Sequence, residues 1–396
     1  MDITIQPRHL RGDITVIPSK SQAHRLLICA AFSDKPTQLR CPETNRDIEA
    51  TADCLNALGA HITRTDSGYT VIPPELIPET AVLNCCESGS TLRFMLPVAG
   101  ALGVDATFLM AGRLPQRPLS PMWEEMERMG CTLTRPTADP LRCQGKLIPG
   151  KYVIDGGVSS QYITGLLLGL SLLERKSTLE ITGKVESRPY IDLTRDAISL
   201  FGGDPHQPGG KCFCSPGYLA VEGDWSNGAF WLAANELGSE LGIQGLNTAS
   251  SQGDRSVVEI LHQLRDGSPR VSAADIPDLV PILSIVAANR NGAVFTDIRR
   301  LRLKESDRVT SVIAMLENLG GKAEATEDTL TVSGTGLTGG TVDAVNDHRI
   351  AMSAAIAATV CTGCVTILGA ECVKKSYPQF FEEYRRLGGN YELYLR

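Results

Sequence analysis

Apolar positions in this chain define two kinds of helix that alternate along its length. The first kind is amphipathic and ends at Leu-Gly or Met-Gly before a strand-like run. Glycine is the expected stop because it takes the left-handed conformation at little cost. These surface helices are predicted to end at Gly59, Gly130, Gly202, Gly320 and Gly388, with a degenerate copy near 261–267.

The second kind of helix is apolar on nearly every side and follows a turn that contains Gly or Asp. A helix without a polar face belongs inside a domain. Successive starts are 69 residues apart from 19 to 88, 71 apart from 88 to 159, and 69 apart from 278 to 347. The buried helices are predicted to begin near Ser19, Ser88, Ser159, Asp224, Asp278 and Asp347.

Together the two patterns predict six units of about 70 residues, each with one buried helix, one surface helix and strands between them. A chain of 396 residues fits two domains of about 200 residues. Three units are therefore assigned to each domain of a mixed α/β (α+β) fold, with a boundary near 221–223. A strand at 2–6 precedes the first buried helix, and the pattern leaves open which half it joins.

Charge and composition narrow the function classes. A net charge of −7 argues against a general surface for nucleic acid or anionic membrane. The longest apolar stretches are about ten residues, whereas a membrane helix needs about 20. The first residues carry charges throughout, so no signal peptide and a cytoplasmic location are expected. An anionic ligand would have to be bound by locally clustered Lys and Arg.

Cysteines and signature motifs point away from a metal or an organic cofactor. The twelve cysteines are scattered, and the one CxxC, at Cys361 and Cys364, has no second CxxC with His partners. Reduced, buried thiols are the better interpretation. The chain has no P-loop, no well-placed dinucleotide fingerprint, no HExxH and no GxSxG. Chemistry by side chains alone is expected.

The starts of the buried helices are the candidate anion sites, because the first N–H groups of a helix lack partners and the macrodipole is positive there. Ser19 or Ser21 can cap the first helix, and Ser21 shares a helix face with Arg25. Lys20 stands in the first turn against the dipole, which indicates an anionic partner. The alternative is a solvated Lys beside an ordinary cap.

Three further starts carry polar or charged residues. Gly89 would let a ligand approach the backbone at the second start, and a plain capped helix is the alternative. Capping explains one of the polar residues at 159–161 but not all three. Asp347, His348 and Arg349 open an otherwise apolar helix, which indicates either a functional site or a structural salt bridge. Glu305 and Arg308 are three apart and could also simply pair.

The chain resembles the enolpyruvyl transferase family, and within it the 5-enolpyruvylshikimate-3-phosphate synthases. The resemblance runs from 19 to 378, in family order. Its motifs are Ser19-Lys20-Ser21 with Arg25, Gly89-Ser90-Thr91-Leu92-Arg93, Arg117-Pro118, Ser159-Ser160-Gln161, Ser187-Arg188-Pro189-Tyr190, Glu222-Gly223-Asp224, Ile276-Pro277-Asp278, Lys304-Glu305-Ser306-Asp307-Arg308, Asn346-Asp347-His348-Arg349 and Lys375-Ser376-Tyr377-Pro378.

The resemblance implies two similar domains, each of three βαβαββ units, with the starts of the buried, parallel helices facing an interdomain cleft. By analogy, residues 19–221 form one domain, and residues 1–18 with 222–396 form the other. The family precedent is mostly monomeric. The implied role lies in the making of chorismate and aromatic amino acids in the shikimate pathway.

The implied reaction transfers the enolpyruvyl group of phosphoenolpyruvate to the 5-hydroxyl of shikimate 3-phosphate and releases phosphate, by addition and elimination through a tetrahedral intermediate. No metal or cofactor is implied. Carried over by motif, the residues expected to be catalytic are Asp278, Glu305, Lys20 and Lys375. Those expected to bind shikimate 3-phosphate are Lys20, Ser21, Arg25, Ser159, Ser160, Gln161, Ser187, Asp278 and Lys304. Those expected to bind phosphoenolpyruvate are Lys20, Gly89, Arg117, Gln161, Arg308, Arg349 and Lys375.

Three positions depart from the family pattern: Glu87 stands where many relatives have Asn, Ser90 where Thr is common, and Arg300 where Asn is frequent. These departures bear on the affinity for phosphoenolpyruvate and for competitive inhibitors such as glyphosate. Two rival functions stay open. One is the sister transferase that acts on UDP-N-acetylglucosamine, although 112–119 lacks its usual reactive Cys. The other is a two-lobed protein that binds an anionic metabolite without catalysis.

Overall fold

The computed structural model describes residues 1–137 and 139–394. Within them the α-helices are α1 (Lys20–Ala31), α2 (Arg46–Ala57), α3 (Gly89–Leu102), α4 (Met122–Arg128), α5 (Ser160–Ser171), α6 (Arg188–Leu200), α7 (Trp225–Glu236), α8 (Val257–Asp266), α9 (Val280–Ala288), α10 (Arg308–Asn318), α11 (His348–Ala357) and α12 (Phe380–Arg386). Short 3-10 helices span Leu114–Gln116, Gly253–Ser256, Arg299–Leu303 and Ala370–Lys375.

The β-strands of the same residues are β1 (Asp2–Gln6), β2 (Arg11–Thr15), β3 (Thr37–Arg40), β4 (His61–Thr65), β5 (Gly68–Ile72), β6 (Thr80–Asn84), β7 (Asp105–Leu109), β8 (Cys131–Thr134), β9 (Leu141–Gly145), β10 (Lys151–Asp155), β11 (Thr178–Thr182), β12 (Tyr218–Ala220), β13 (Glu240–Gln244), β14 (Arg270–Ser272), β15 (Ala293–Thr296), β16 (Lys322–Ala325), β17 (Thr329–Ser333), β18 (Gly340–Asp343), β19 (Val365–Leu368) and β20 (Asn390–Tyr394). None of the described helices is both long and apolar enough to cross a membrane.

The chain divides into two compact units. One is Pro18–Glu222, the N-terminal unit, and the other is Met1–Ile17 with Gly223–Arg396, the C-terminal unit. Each unit has its own hydrophobic core, built mainly from its buried helices and from one face of each of its sheets.

The two predicted kinds of helix are both confirmed. Helices α1, α3, α5, α7, α9 and α11 are buried along almost their whole length, as expected for helices without a polar face. Helices α2, α4, α6, α8, α10 and α12 bury only one side. The glycines that follow five of these surface helices have φ between 73° and 108°, the left-handed region. The sixth, Gly267, is extended at φ 179°.

Six sheets accompany the six helix pairs in the described part of the chain. Their strand orders are β12-β3-β5-β4, β6-β7-β9-β8 and β10-β11 in the N-terminal unit, and β13-β2, β14-β15-β17-β16 and β18-β19-β1-β20 in the C-terminal unit. Each four-stranded sheet joins one parallel pair to antiparallel neighbours. The mixed α/β fold is thus as predicted, but two of the six units end after βαβα and have two-stranded sheets.

The first residues, which the pattern left open, pair with strands of the C-terminal unit. Strand β1 lies antiparallel between β19 and β20, with Ile3 opposite Ile367 and Leu393. Strand β2 is parallel to β13. The chain therefore begins in one unit and enters the other at Pro18.

Helices α3 and α5 approach each other backbone to backbone. A Cβ on Gly165 would lie 2.1 Å from the Arg93 carbonyl oxygen, and one on Gly169 would lie 2.6 Å from that of Pro97. Pro97 has no N–H, so it leaves the Arg93 carbonyl without its usual helical donor, and Gly165 fills that space. This close packing fixes the relative position of two helix starts that matter for the site.

Candidate active site

In the N-terminal unit, serines cap the buried helices. Ser19 accepts a hydrogen bond from the Gln22 N–H, Ser88 from that of Thr91 and Ser159 from that of Gln161. Of the two serines proposed as caps for α1, Ser19 has this role. The hydroxyls of Ser21 and Ser160 therefore stand in the first turns of α1 and α5 without a capping duty.

Arg25 is buried, at 2% exposure, and donates only to neutral oxygens among the residues that the structure describes. Its Nε donates to Thr194 at 2.8 Å, its Nη1 to the Ser21 carbonyl at 2.6 Å, and its Nη2 to Thr164 and to the Tyr190 carbonyl. Burial lowers the pKa of Arg25 to about 10, so it stays charged at neutral pH. A positive charge without a carboxylate counter-ion favours an anionic ligand.

Lys20 has an anionic partner within the protein. Its Nζ lies 3.0 Å from Oδ2 of Asp47, near the start of α2, and both side chains are 16% exposed. The first-turn position of Lys20 is thus offset by a carboxylate that the sequence did not single out. A ligand anion at Lys20 would share it with Asp47.

Gln161 is held between α3 and its own helix α5. Its Oε1 accepts from Nη1 of Arg93 at 2.8 Å, and its Nε2 donates to Ser90 at 3.0 Å. Arg93, 3% exposed, also donates to the Pro118 carbonyl and so ties the loop after Arg117 to α3. Arg93 is a positioning residue that sequence reasoning quoted in a motif but gave no role.

Gly89, the first residue of α3, lies against two guanidiniums. A Cβ there would be 2.6 Å from Nη1 of Arg117 and 2.8 Å from Nη1 of Arg93. The Nε of Arg117 is buried and has no hydrogen-bond partner among the described residues. The structure therefore places the predicted residues Gly89 and Arg117 together, with hydrogen-bonding capacity left for a ligand.

Ser187 precedes α6 and is 1% exposed, with φ 55° in the left-handed region. A non-glycine residue in that region is strained and is held there by its surroundings. The next helix also supplies Tyr190 and Thr194, which hold Arg25. Ser187 is therefore fixed at the start of the same helix that positions a predicted anion-binding residue.

In the C-terminal unit, one buried arginine joins three carboxylates. The side chain of Arg308 is 1% exposed, and its Nη1, Nη2 and Nε lie 2.5 Å from Asp278, 2.7 Å from Glu305 and 2.9 Å from Asp347. The pairing of Glu305 with Arg308, which the spacing allowed, is thus present. Asp347 also caps α11 by accepting from the Arg349 N–H at 3.0 Å. We call these four residues with Lys304 and Arg349 the carboxylate cluster.

Asp278 has three cations around it. Oδ1 lies 2.5 Å from Arg308 and 3.6 Å from Lys304, and Oδ2 lies 3.5 Å from Arg349. Burial raises the pKa of Asp278, but the charges of Lys304, Arg349 and Arg308 outweigh burial and hold it well below its usual range. Helix α9 starts at Val280, with Leu279 rather than Asp278 at its cap position.

The other basic residues predicted for the site in this unit, Lys304, Arg349 and Lys375, differ in their surroundings. Burial lowers the pKa of Lys304 to about 8, against the opposing effect of Asp278. Arg349 donates from Nη1 to the Ser226 carbonyl at 3.0 Å, while its Nε has no partner in the described structure. Lys375 donates from Nζ to the Asn346 carbonyl at 3.0 Å, which brings it to the turn before α11. Unused donors on Arg349 leave room for an anion.

The family-model comparison matches residues 5–384 to EPSP synthase (3-phosphoshikimate 1-carboxyvinyltransferase). The chain belongs to the EPSP synthase family. It is 36% identical to the 3-phosphoshikimate 1-carboxyvinyltransferase of Clostridium kluyveri over 98% of this chain and 97% of that protein. The corresponding protein of Clostridium botulinum strain Alaska E43 is 37% identical with the same coverage. A solved EPSP synthase from Acinetobacter baumannii has the same fold, with a TM-score of 0.80 at 22% identity over 99% of this chain and 100% of that one.

The three departures from the EPSP synthase pattern have definite places. The Glu87 carboxylate packs against Gly112, where a Cβ would lie 2.7 Å from Oε2. Ser90 accepts the hydrogen bond from Gln161. Arg300 lies in the 3-10 helix before Lys304 and is one of the charges that lower the pKa of that lysine, after burial. Ser90 and Arg300 thus act directly on residues predicted to bind ligands.

No group of three or more His, Cys, Asp or Glu side chains that could hold a metal ion occurs within residues 1–137 and 139–394. Sequence reasoning in this EPSP synthase family member missed Asp47, Arg93 and Asp254. Asp254 lies behind Arg349 and is taken up below. The neighbouring sequence does not mark these residues, because their partners lie between 27 and 95 residues away. Asp47 contacts Lys20, Arg93 contacts Gln161, and Asp254 interacts electrostatically with Arg349.

Proposed function

We propose that this chain is a 3-phosphoshikimate 1-carboxyvinyltransferase, which moves the enolpyruvyl group of phosphoenolpyruvate to the 5-hydroxyl of shikimate 3-phosphate and releases phosphate. Its place is in aromatic amino acid biosynthesis, which is the role that its family implies. The geometric observation that supports the proposal most directly is the position of Asp278, an ionised carboxylate that lies close to three cations. A carboxylate weakens the binding of anions unless the chemistry needs it. Ligand anions that occupy these cations would raise the proton affinity of Asp278, which suits it to act as a base once the substrates are bound.

We assign the N-terminal unit mainly to substrate binding. Shikimate 3-phosphate is bound by Ser21, Arg25, Ser159, Ser160 and Ser187, with Lys20 and Gln161 touching both substrates. Arg25 supports this role because its charge is balanced by neutral oxygens only. The Gly89 backbone and Arg117 bind phosphoenolpyruvate, supported by the unpartnered Nε of Arg117 in the described structure. Arg offers a planar fork that matches carboxylate and phosphate.

We assign the acid–base chemistry to the carboxylate cluster. In the addition step, Asp278 takes the proton of the 5-hydroxyl while the hydroxyl oxygen bonds to C2 of phosphoenolpyruvate. Glu305, which enters this step protonated, gives its proton to the methylene carbon. In elimination, Glu305 takes a proton back from that carbon, the C2–O bond to phosphate breaks, and the hydroxyl proton leaves with the phosphate. Atoms and charges then balance without a cofactor.

The charge of the bound ligands would make the carboxylates of the cluster more basic. Arg308 and Arg349 are assigned to the anionic groups of phosphoenolpyruvate, and Lys304 to shikimate 3-phosphate. These ligands would compete with Asp278 and Glu305 for the same cations, so the proton affinity of both carboxylates would rise. Lys20 and Lys375 would stabilise the charge that collects on the departing phosphate.

The remaining parts of the proposal concern the domains, the oligomeric state and the cellular location of the protein. We propose that residues 19–221 form one domain and that residues 1–18 with 222–396 form the other, that the chain works as a monomer, and that it works in the cytoplasm. The two compact units support the first point. All twelve cysteine thiols are free, including those of Cys361 and Cys364, which fits a reducing compartment.

Phosphate release tests the function. Purified protein is given phosphoenolpyruvate with shikimate 3-phosphate, each substrate alone, and phosphoenolpyruvate with UDP-N-acetylglucosamine. We expect release only when phosphoenolpyruvate and shikimate 3-phosphate are both present. Release with the UDP-sugar instead would assign the sister reaction, and release in no mixture from folded protein would leave a binding protein.

A further inference from the structure

Behind the carboxylate cluster lies a buried acid that the reaction outlined above does not use. Asp254 is in the 3-10 helix Gly253–Ser256 and is 2% exposed. Its Oδ2 accepts a short hydrogen bond from the Ser226 hydroxyl, and its Oδ1 has no hydrogen-bond partner in the described part of the chain. A buried carboxylate with one oxygen unsatisfied is costly to keep, so its position calls for an explanation.

The same loop also makes hydrogen bonds to the first turn of α7 and to the residue before its cap. The Gln252 Oε1 accepts from the Trp225 N–H at 3.0 Å, and its Nε2 donates to the Gly223 carbonyl at 2.9 Å. With the bond from Ser226 to Asp254, these contacts fix the backbone from 223 to 226. The loop therefore holds in place the first turn of α7, to which the Ser226 carbonyl belongs.

That carbonyl is the anchor of Arg349. Nη1 of Arg349 donates to it at 3.0 Å, while Nη2 lies 3.5 Å from Asp278. Arg349 is 4% exposed and lies over the Phe230 ring, with 5.9 Å from the guanidinium carbon to the ring centre. Its orientation is thus set by α7 on one side and by Asp278 on the other.

We propose that Asp254 is a positioning residue for phosphoenolpyruvate: by holding Ser226 it aims Arg349, and by its charge state it tunes how strongly Arg349 attracts an anion. The inference rests on the proposed function, in which Arg349 binds phosphoenolpyruvate. Asp254 touches neither substrate in this scheme and acts only through Ser226 and Arg349.

The electrostatics of Asp254 give the proposal a distinctive signature. Burial, and then the charge of Asp278, raise the pKa of Asp254 to about 7, with Arg349 and the Ser226 hydroxyl opposing and Asp224 adding to the rise. Below pH 7 the acid is neutral and Arg349 keeps its full attraction for an anion. Above pH 7 Asp254 becomes an anion beside Arg349, and the affinity for phosphoenolpyruvate falls.

The test compares D254A, D254N and the matched control R255A, whose side chain is exposed and donates to the Thr248 carbonyl. At pH 6, where Asp254 is neutral and only its positioning role is lost, we expect D254A to raise the KM for phosphoenolpyruvate about tenfold, to leave the KM for shikimate 3-phosphate within twofold, and to lower kcat less than threefold. D254N keeps an acceptor for Ser226 and should match the wild type at pH 6. R255A should be unchanged throughout.

The pH profile separates positioning from mere stability. Between pH 6 and pH 8, kcat/KM for phosphoenolpyruvate should rise about three- to tenfold in D254N relative to the wild type, because the variant cannot ionise. A constant ratio would overturn the tuning claim. A D254A variant with its KM for phosphoenolpyruvate within twofold of wild type, or with both KM values raised equally, would overturn the positioning claim.

Failure of the proposed function would be visible separately, as a wild-type protein that releases no phosphate. In that case calorimetric titration of phosphoenolpyruvate into wild type, D254A and R255A decides the inference alone. A tenfold weaker affinity in D254A only would support it, and equal affinities would overturn it. Thermal unfolding of each variant confirms that the compared proteins are folded.

Discussion

Arg25 of the N-terminal unit and Arg308 of the C-terminal unit are both buried guanidiniums in the predicted site, yet their surroundings are opposite. Arg25 donates to hydroxyl and carbonyl oxygens, whereas Arg308 donates to three carboxylates. The first arrangement leaves a net positive charge in place for an anion. The second is balanced once Lys304 and Arg349 are included, so we propose that an anion that enters displaces a carboxylate, which then becomes a base. These surroundings fit the proposed roles, which are anion binding for Arg25 and proton transfer for carboxylates around Arg308.

The largest expected effect on stability comes from removing each arginine in turn. R308M would leave three carboxylates without their shared cation and should lower the free energy of unfolding by about 3–5 kcal/mol. R25M should cost only about 1–2 kcal/mol, because Thr164, Thr194 and the Tyr190 carbonyl remain hydrogen-bonded to one another. Urea unfolding of both variants measures the contrast.

R386M serves as the control for that contrast, since Arg386 is 53% exposed and pairs with Glu383 at the surface. Its effect should stay below about 1 kcal/mol. Equal costs for R308M and R25M would show that the two arginines are not in different electrostatic settings, and the comparison would fail.

Lys304 gives the next effect, which depends on pH. Its pKa is lowered to about 8, so it loses its charge as pH rises through that value. In the proposed assignment the charged form of Lys304 binds shikimate 3-phosphate, so kcat/KM for that substrate should be flat below pH 8 and fall up to about tenfold per pH unit above it. K304R keeps its charge and should stay flat to pH 9. A parallel decline in K304R would assign the titration to another group.

The smallest effect is expected for G89A. The added methyl would meet the guanidinium ends of Arg117 and Arg93 rather than backbone, so side chains and not the helix would have to shift. The KM for phosphoenolpyruvate should rise about three- to tenfold, with the KM for shikimate 3-phosphate unchanged. S90A is a neighbouring control that removes only the acceptor of Gln161. Should G89A leave both KM values at their wild-type level, Gly89 would not border the ligand.

The repeat of buried and surface helices could be predicted from sequence because burial at helical period is local information. Glycine stops at 59, 130, 202, 320 and 388 have the positive φ that the pattern required. The truncation of the third unit, which holds β10 and β11, could also have been found. Residues 203–217 are rich in Gly, Pro and Cys and leave no room for two more strands.

The sequence alone could not show which charged residues pair when they lie far apart in the chain. Glu305 is three residues from Arg308, so their pairing could be read locally, but Asp278 and Asp347 reach Arg308 across 30 and 39 residues. The cap position of α9 is Leu279, one residue after the predicted start near Asp278. Leu279 has no polar side chain with which to cap, whereas Asp224 and Asp347 cap the helices that follow them.

The most direct test of the contrast is to measure turnover and binding together in D278N. We expect phosphate release from phosphoenolpyruvate and shikimate 3-phosphate to fall by about 10²–10⁴-fold, the usual contribution of a general base. Calorimetric affinity for shikimate 3-phosphate should stay within about threefold of wild type or become tighter, because an anion has been removed from among three cations. A D278N protein that keeps its turnover, or that loses affinity in proportion to turnover, would contradict the assignment of chemistry to the carboxylate cluster.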